Sequence, residues 1–134
     1  MTPLLPVRDL VERYGLTPND LVIEVGSGEG AFLAAVRQLG PRVLGVDVDR
    51  RAVGRAFRAG VDMVEAAFTQ DTAACLRQRY GPARVVIVRG APGNQSEFVA
   101  AAAHCLSPDG VVLISTGSAL VECRPLGSPL PRAA

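Results

Sequence analysis

The sequence predicts an α/β fold, a doubly wound parallel sheet in three layers with helices on both faces. Three observations predict it. Runs of about five mostly apolar residues recur at 21–25, 42–47, 84–88 and 111–115, and such runs, bounded by glycine or turn residues, are strands buried on both sides. Segments of about ten residues with helical spacing separate them, as the crossovers between parallel strands require. The chain has 134 residues, 49% of them hydrophobic, which is one domain with a substantial core.

The elements follow in order. Val7 to Tyr14 is a short amphipathic helix ending at Gly15, and Thr17-Pro18-Asn19-Asp20 turns the chain into the first strand, Leu21 to Val25. After a glycine-rich loop, Ala31 to Leu39 has helix formers with apolar residues at helical spacing, closed by Gly40-Pro41. Arg42 to Asp47 is the second strand. Asp49 caps a helix running to about Ala59, which Gly60 ends. Val61 to Ala66 is a third, weaker strand, Gln70 to Tyr80 a helix stopped by Gly81-Pro82, and Arg84 to Val88 the fourth strand. Asn94 to Leu106 is an alanine-rich helix, and Ser107-Pro108-Asp109-Gly110 turns into the fifth strand, Val111 to Ser115. From Gly117 the chain carries Pro125, Pro129 and Pro131 and is irregular, with at most a strand stub at Leu120 to Arg124. The division expected is a domain over 1–118 and a proline-rich, partly disordered tail over 119–134.

Composition excludes several functions. Fourteen basic residues, all arginine, oppose thirteen acidic ones for a net charge of +1, which supplies no attraction for nucleic acid or anionic lipid. Without lysine there is neither Schiff-base chemistry nor a Walker-type phosphate loop. Cys75, Cys105 and Cys123 are dispersed, and the lone histidine, His104, adjoins Cys105, so no metal site is expected. Free thiols suit a reducing cytosol. No segment approaches the ~18 apolar residues of a membrane span, and the expectation is a soluble cytoplasmic protein.

In open α/β sheets ligands bind beyond the carboxyl ends of the strands. The first strand ends in Glu24-Val25-Gly26-Ser27-Gly28-Glu29-Gly30-Ala31, where glycines permit a tight turn and bring backbone N–H groups toward a ligand at a helix N-terminus. The second ends in Asp47, 21 residues beyond Gly26, a position from which a carboxylate can accept from both hydroxyls of a ribose. Gly26-x-Gly28-x-x-Ala31 also satisfies the dinucleotide pattern. Glu24, however, would repel a pyrophosphate and would be costly to bury unpaired. A cationic ligand relieves that cost, which tips the choice to S-adenosylmethionine: its ammonium meets a carboxylate while its own carboxylate rests on the loop amides. The plainer readings are a strand-end Glu24 capping the loop, Asp47 in a turn, a solvated Glu29, and Phe68 and Cys105 in the core.

With these motifs the chain resembles class I S-adenosylmethionine-dependent methyltransferases, a Rossmann-like family. The carrying residues are Glu24-Val25-Gly26-Ser27-Gly28-Glu29-Gly30, Gly45-Val46-Asp47 and Leu106-Ser107-Pro108-Asp109-Gly110. From Leu21 to about Ile114 it is most similar to the central domain of sugar C-methyltransferases acting on nucleotide-linked deoxysugars, through Val43-Leu44-Gly45-Val46-Asp47, Phe68-Thr69, Thr72-Ala73 and Phe98-Val99. The resemblance implies that Gly26, Gly28 and Gly30, with Ser27 among them, line the methionine end and that Glu24 anchors the loop and the amine. It further implies that Asp47 holds the ribose with Val48 against the adenine, that Ala67-Phe68 cover the adenine, and that Arg89-Gly90 floor the methyl-transfer site. The chain departs from that family in carrying neither its cysteine-rich zinc region nor its C-terminal domain, and in having Arg89-Gly90-Ala91-Pro92-Gly93 after the fourth strand. About 20 residues follow Ile114, too few for a helix and the family's closing hairpin of sixth and seventh strands, so a truncated form is expected.

The function expected is methyl transfer to a small-molecule acceptor by a minimal enzyme, with a partner subunit completing the site and no catalytic residue assignable. The alternatives are a binding module for the cofactor or its product without turnover, and a dinucleotide-binding fragment. Arg89 is placed in the cleft by its strand position, either to bind an anionic substrate group or to pair with a surface acid. His104 falls near the end of the last helix, away from the cleft. In the strand order 3-2-1-4-5 the fifth strand is a bare apolar edge, so a cover is expected from the tail or from a second copy in a dimer.

Overall fold

The computed structural model describes residues 6–28, 30–89, 95–115 and 120–124; Glu29, Gly90 and the proline-rich stretch from 125 lie outside them. The elements are α1 (Val7–Arg13), β1 (Leu21–Val25), α2 (Ala31–Gln38), β2 (Arg42–Asp47), α3 (Arg50–Arg58), β3 (Met63–Glu65), α4 (Gln70–Tyr80), β4 (Ala83–Arg89), α5 (Gln95–Ala102), β5 (Leu106–Ser115) and β6 (Leu120–Cys123). They build one sheet in the order β3-β2-β1-β4-β5-β6. The first five strands are parallel and β6 is antiparallel to β5.

Strand alternation divides the core. Val22, Val43, Val85, Ile87, Val111 and Leu113 face one side with Leu10, Leu33, Val36, Val53 and Ala56 from α1, α2 and α3. Leu21, Ile23, Leu44, Val46, Val86, Val88, Val112 and Ile114 face the other with Ala73, Leu76 and Ala102 from α4 and α5. Strands buried on both faces explain why their sequence runs are continuous rather than alternating. Asp49 caps α3 by accepting from the Arg51 amide at 3.0 Å, as expected from sequence; Thr69 caps α4 in the same way, accepting from Thr72 N at 3.2 Å.

Three local expectations are corrected. The last helix stops at Ala102 rather than Leu106. Cys105 and Leu106 are buried, and Cys105 O accepts from Ala83 N at 2.7 Å, so pairing at the start of β4 takes residues that helix propensity alone would continue. Ser107–Gly110 is not a turn before the fifth strand but a bulge inside it. Ala83 pairs with Leu106 and Val85 with Val111, leaving Arg84 opposite the extra residues. Buried Arg84 meets Asp109 at 3.4 Å and lies 5.6 Å from the Tyr14 ring centroid, so the bulge brings a carboxylate to an interior guanidinium. The third strand is shorter than 61–66, because the Val61 amide is taken by Ala56 O at the end of α3.

The β5 edge is covered, and the cover is the chain's own tail. Ser115, Ile114, Leu113 and Val112 pair with Leu120, Val121, Glu122 and Cys123. The sheet therefore extends past residue 118.

Between β1 and α2 the chain turns sharply, and Gly30 makes the turn possible. It has φ of +79°, and a Cβ there would stand 3.1 Å from Ala56 Cβ and 3.3 Å from Val61 Cγ2. Gly30→Ala combines left-handed strain of about 1–2 kcal/mol with crowding. The expected result is a lower urea midpoint at unchanged slope, a loss of about 2 kcal/mol.

Candidate functional site

At the carboxyl ends of the strands lies a cleft of about 340 Å³, lined by Val25, Gly26, Val46, Asp47, Val48, Ala66, Ala67, Phe68, Val88, Arg89 and Phe98. It forms where the strand order reverses between β1 and β4, since the connections from β1 run one way across the sheet and those from β4 the other. Among the described residues its walls are mostly apolar, with one carboxylate and one guanidinium. Val48 is 70% exposed there, an apolar side chain left open beside Asp47.

Asp47, half-buried at the end of β2, fixes the shape of the rim. Its Oδ2 accepts from Gly28 N and its Oδ1 from Asp49 N, both at 2.9 Å, so it ties the glycine-rich loop to β2. Each oxygen takes one amide and keeps a further lone pair. Gly26 N donates to Val46 O at 2.8 Å, and a Cβ on Gly26 would stand 3.1 Å from Arg89 O. The loop crosses the sheet closely here because position 26 has no side chain.

Beneath the loop the geometry differs from the sequence expectation. Glu24 is wholly buried between Gly45 and Ile87 of the neighbouring strands. Its counter-ion is Arg89 from the end of β4, in direct contact through Nε. Oε2 takes that contact, and Oε1 has no hydrogen-bond partner among the described residues. The Arg89 guanidinium also lies 4.9 Å from the Phe32 ring centroid, over α2. Burial raises the Glu24 carboxyl from its ordinary 4.5 to about 7; Arg89 opposes the rise and Asp47 adds to it. The negative charge at position 24 is therefore compensated within the chain, and its presence does not by itself call for a cationic guest. Arg89 pairs with a buried acid, not a surface one.

Of the ten site residues expected from sequence, the cleft brings together Gly26, Asp47, Val48, Ala67, Phe68 and Arg89. Glu24, Ser27, Gly28 and Gly30 are not in its wall. Ser27 Oγ turns down toward Met63 Sδ at 3.5 Å, Gly28 serves through its amide to Asp47, and Gly30 packs against α3. The wall also takes Val25, Val46, Ala66 and Val88, at or just beyond strand ends and not singled out from the sequence, and Phe98 from α5. Phe98 carried no site signal in the sequence, because which helix face meets the strand ends depends on the crossover.

Among the described residues no group of three or more His, Cys, Asp and Glu is placed to hold a metal ion, and no helix is long and apolar enough to cross a membrane. Cys105 is buried, and burial lifts its thiol to about 12. His104 is exposed just before β5 begins, at the end of the sheet opposite the cleft.

Comparison with known proteins agrees with this architecture. A C-methyltransferase NovU from Streptomyces niveus is 40% identical over 107 residues, 78% of this chain and 26% of that protein. A SAM-dependent methyltransferase from Thiobacillus denitrificans, solved in complex with S-adenosyl-L-homocysteine, superposes with a TM-score of 0.66 at 23% identity over 84% of this chain and 49% of its own. A precorrin-6y C5,15-methyltransferase from Geobacter metallireducens does so at 0.64 and 18% identity, over 85% and 62%. At such identities the structural likeness establishes the fold, and the chain spans about a quarter of the curated relative. The model of a methyltransferase-domain family matches residues 5–130, nearly the whole chain including the glycine-rich loop, the Asp47 strand end and β6. The chain belongs to that methyltransferase-domain family.

Proposed function

We propose that the chain binds S-adenosylmethionine in the cleft at the strand ends and supports transfer of its methyl group to a small-molecule acceptor in the cytosol, with a partner subunit supplying the acceptor-binding surface. The observation that carries this reading is the cleft itself: Val46, Val48, Phe68 and Phe98 offer a purine an apolar slot, and Asp47 at its rim keeps acceptor capacity for a ribose. The family, and the methyltransferase activity of the relatives, agree with it.

When bound, the cofactor supplies an electrophilic methyl group on a sulfonium, which becomes a neutral thioether as the methyl passes to the acceptor. Charge is dispersed along that path, so placement and exclusion of water can provide most of the rate without an acid–base pair. Asp47 holds the nucleoside, the tight turn at Gly26 lets the ligand approach the loop backbone, and the apolar wall keeps water out of the slot.

Calorimetric titration with S-adenosylhomocysteine tests the reading. Micromolar binding is expected, with Asp47→Ala weakening it at least about tenfold through the lost ribose contacts and a loosened loop. Binding of NAD without binding of S-adenosylhomocysteine overturns it. Tight binding with no methyl release from S-adenosylmethionine to any acceptor leaves a binding module in place of an enzyme.

A further inference from the structure

We propose that Glu24 and Arg89 are an exchangeable ion pair that frees Arg89 for an oxyanion group of the acceptor once the cofactor's amino-acid end has entered. The inference rests on the cofactor reading above. Three observations carry it. First, Glu24 is fully buried and its carboxylate meets only Arg89 Nε among the described residues, through Oε2, while Oε1 has no hydrogen-bond partner, so an ammonium with three N–H donors can satisfy that carboxylate better than the present contact does. Second, Arg89 belongs to two places at once: its Nε is against Glu24, yet its side chain is 20% exposed and forms part of the cleft wall. It can leave Glu24 without leaving the site. Third, the exchange takes away the guanidinium's counter-ion. The cofactor's amino-acid end carries no net charge, but with its ammonium on Glu24 and its carboxylate on the loop amides Arg89 is left without an adjacent anion in a partly desolvated cleft. Asp47, the carboxylate that the described residues place in the wall, is engaged by the Gly28 and Asp49 amides.

An unpaired guanidinium in such a position favours a planar or tetrahedral oxyanion that it can grip with two N–H groups. The acceptor class is then one bearing a phosphate or a carboxylate. Cofactor and acceptor bind with positive coupling, and the coupling is reciprocal.

Titrations of pyrophosphate and of malonate into the chain alone, with saturating S-adenosylhomocysteine, and with saturating 5′-methylthioadenosine test this. 5′-Methylthioadenosine fills the nucleoside slot but has no amino-acid end. S-adenosylhomocysteine is expected to tighten one of the two oxyanions at least about fivefold, 5′-methylthioadenosine to leave both unchanged, and that oxyanion to tighten S-adenosylhomocysteine by the same factor. Pyrophosphate as the responder assigns a phosphate, malonate a carboxylate. Arg89→Gln keeps the Glu24 carboxylate for the ammonium but has no guanidinium to release, and it is expected to bind S-adenosylhomocysteine without any such gain. The proposal is overturned if S-adenosylhomocysteine binds but neither oxyanion gains, as when Arg89 takes the cofactor's own carboxylate. It is also overturned if 5′-methylthioadenosine gives the same gain. Failure of S-adenosylhomocysteine to bind at all removes the cofactor reading and this inference with it.

Discussion

Glu24→Gln flattens the pH dependence of stability, removing about 3 kcal/mol of the fall that the wild-type chain shows between about pH 4.5 and about pH 8. The wild-type carboxyl titrates at an ordinary 4.5 in the unfolded chain and at about 7 in the folded one, because burial penalises its charge more than Arg89 favours it. Between those values the folded state holds a proton that the unfolded state has released, so raising the pH favours unfolding. The stabilising contribution of the neutral acid is complete below 4.5 and lost as the pH passes 7. Glutamine has nearly the same shape and no titration. Urea unfolding at a series of pH values measures the slope, and equal slopes for the two proteins would show that position 24 is not the titrating group.

Arg89→Met has the second large effect, and its size depends on pH. Methionine keeps much of the packing over Phe32 but removes the counter-ion. Deprived of it, Glu24 stays protonated to higher pH, and each unit above 7 costs the variant a further ~1.4 kcal/mol relative to wild type. The variant is expected to be about 3 kcal/mol less stable than wild type near pH 9 and less than about 1 kcal/mol near pH 5, where both proteins carry a neutral Glu24. The two substitutions are not mirror images. Arg89 has a flexible stem and is partly exposed, so without Glu24 it can turn its charge to water in the cleft. Glu24 is buried under the loop with no such route. A double-mutant cycle between the two isolates the pair.

The cause of the arrangement lies in strand register. Glu24 stands opposite Gly45 on β2 and Ile87 on β4, and Arg89 lies two residues beyond Ile87, on the same face. Gly45 is hemmed in by Met63 Sδ and Ser27 Oγ, the positions where its Cβ would collide. With no side chain at position 45, the Ser27 hydroxyl lies over that strand, 3.5 Å from Met63 Sδ, and Ser27 is not in the cleft wall where the sequence expectation put it.

The layer architecture and the end of the sheet at which the cleft opens are legible in the sequence alone, and the order of the first five strands through the family resemblance. Continuous apolar runs between glycine stops, helices of about ten residues and a carboxylate at the end of the second strand are local signals, and burial on both faces leaves them little freedom. Asp49 as a cap and Asp47 at the rim were legible for the same reason, since each acts on backbone a few residues or one strand away. The pairing of distant side chains is not legible there. That Arg89 compensates Glu24 depends on β1 and β4 being neighbours in register, although 65 residues separate the two positions in sequence. That Phe98 closes the cleft depends on where the crossover sets α5, and that Ser107–Gly110 bulges depends on an arginine in the opposing strand. The physical reason is common to all three: composition and periodicity report how much of a residue is buried, while the partner that satisfies a buried charge or fills a slot is chosen by register and packing across the sheet.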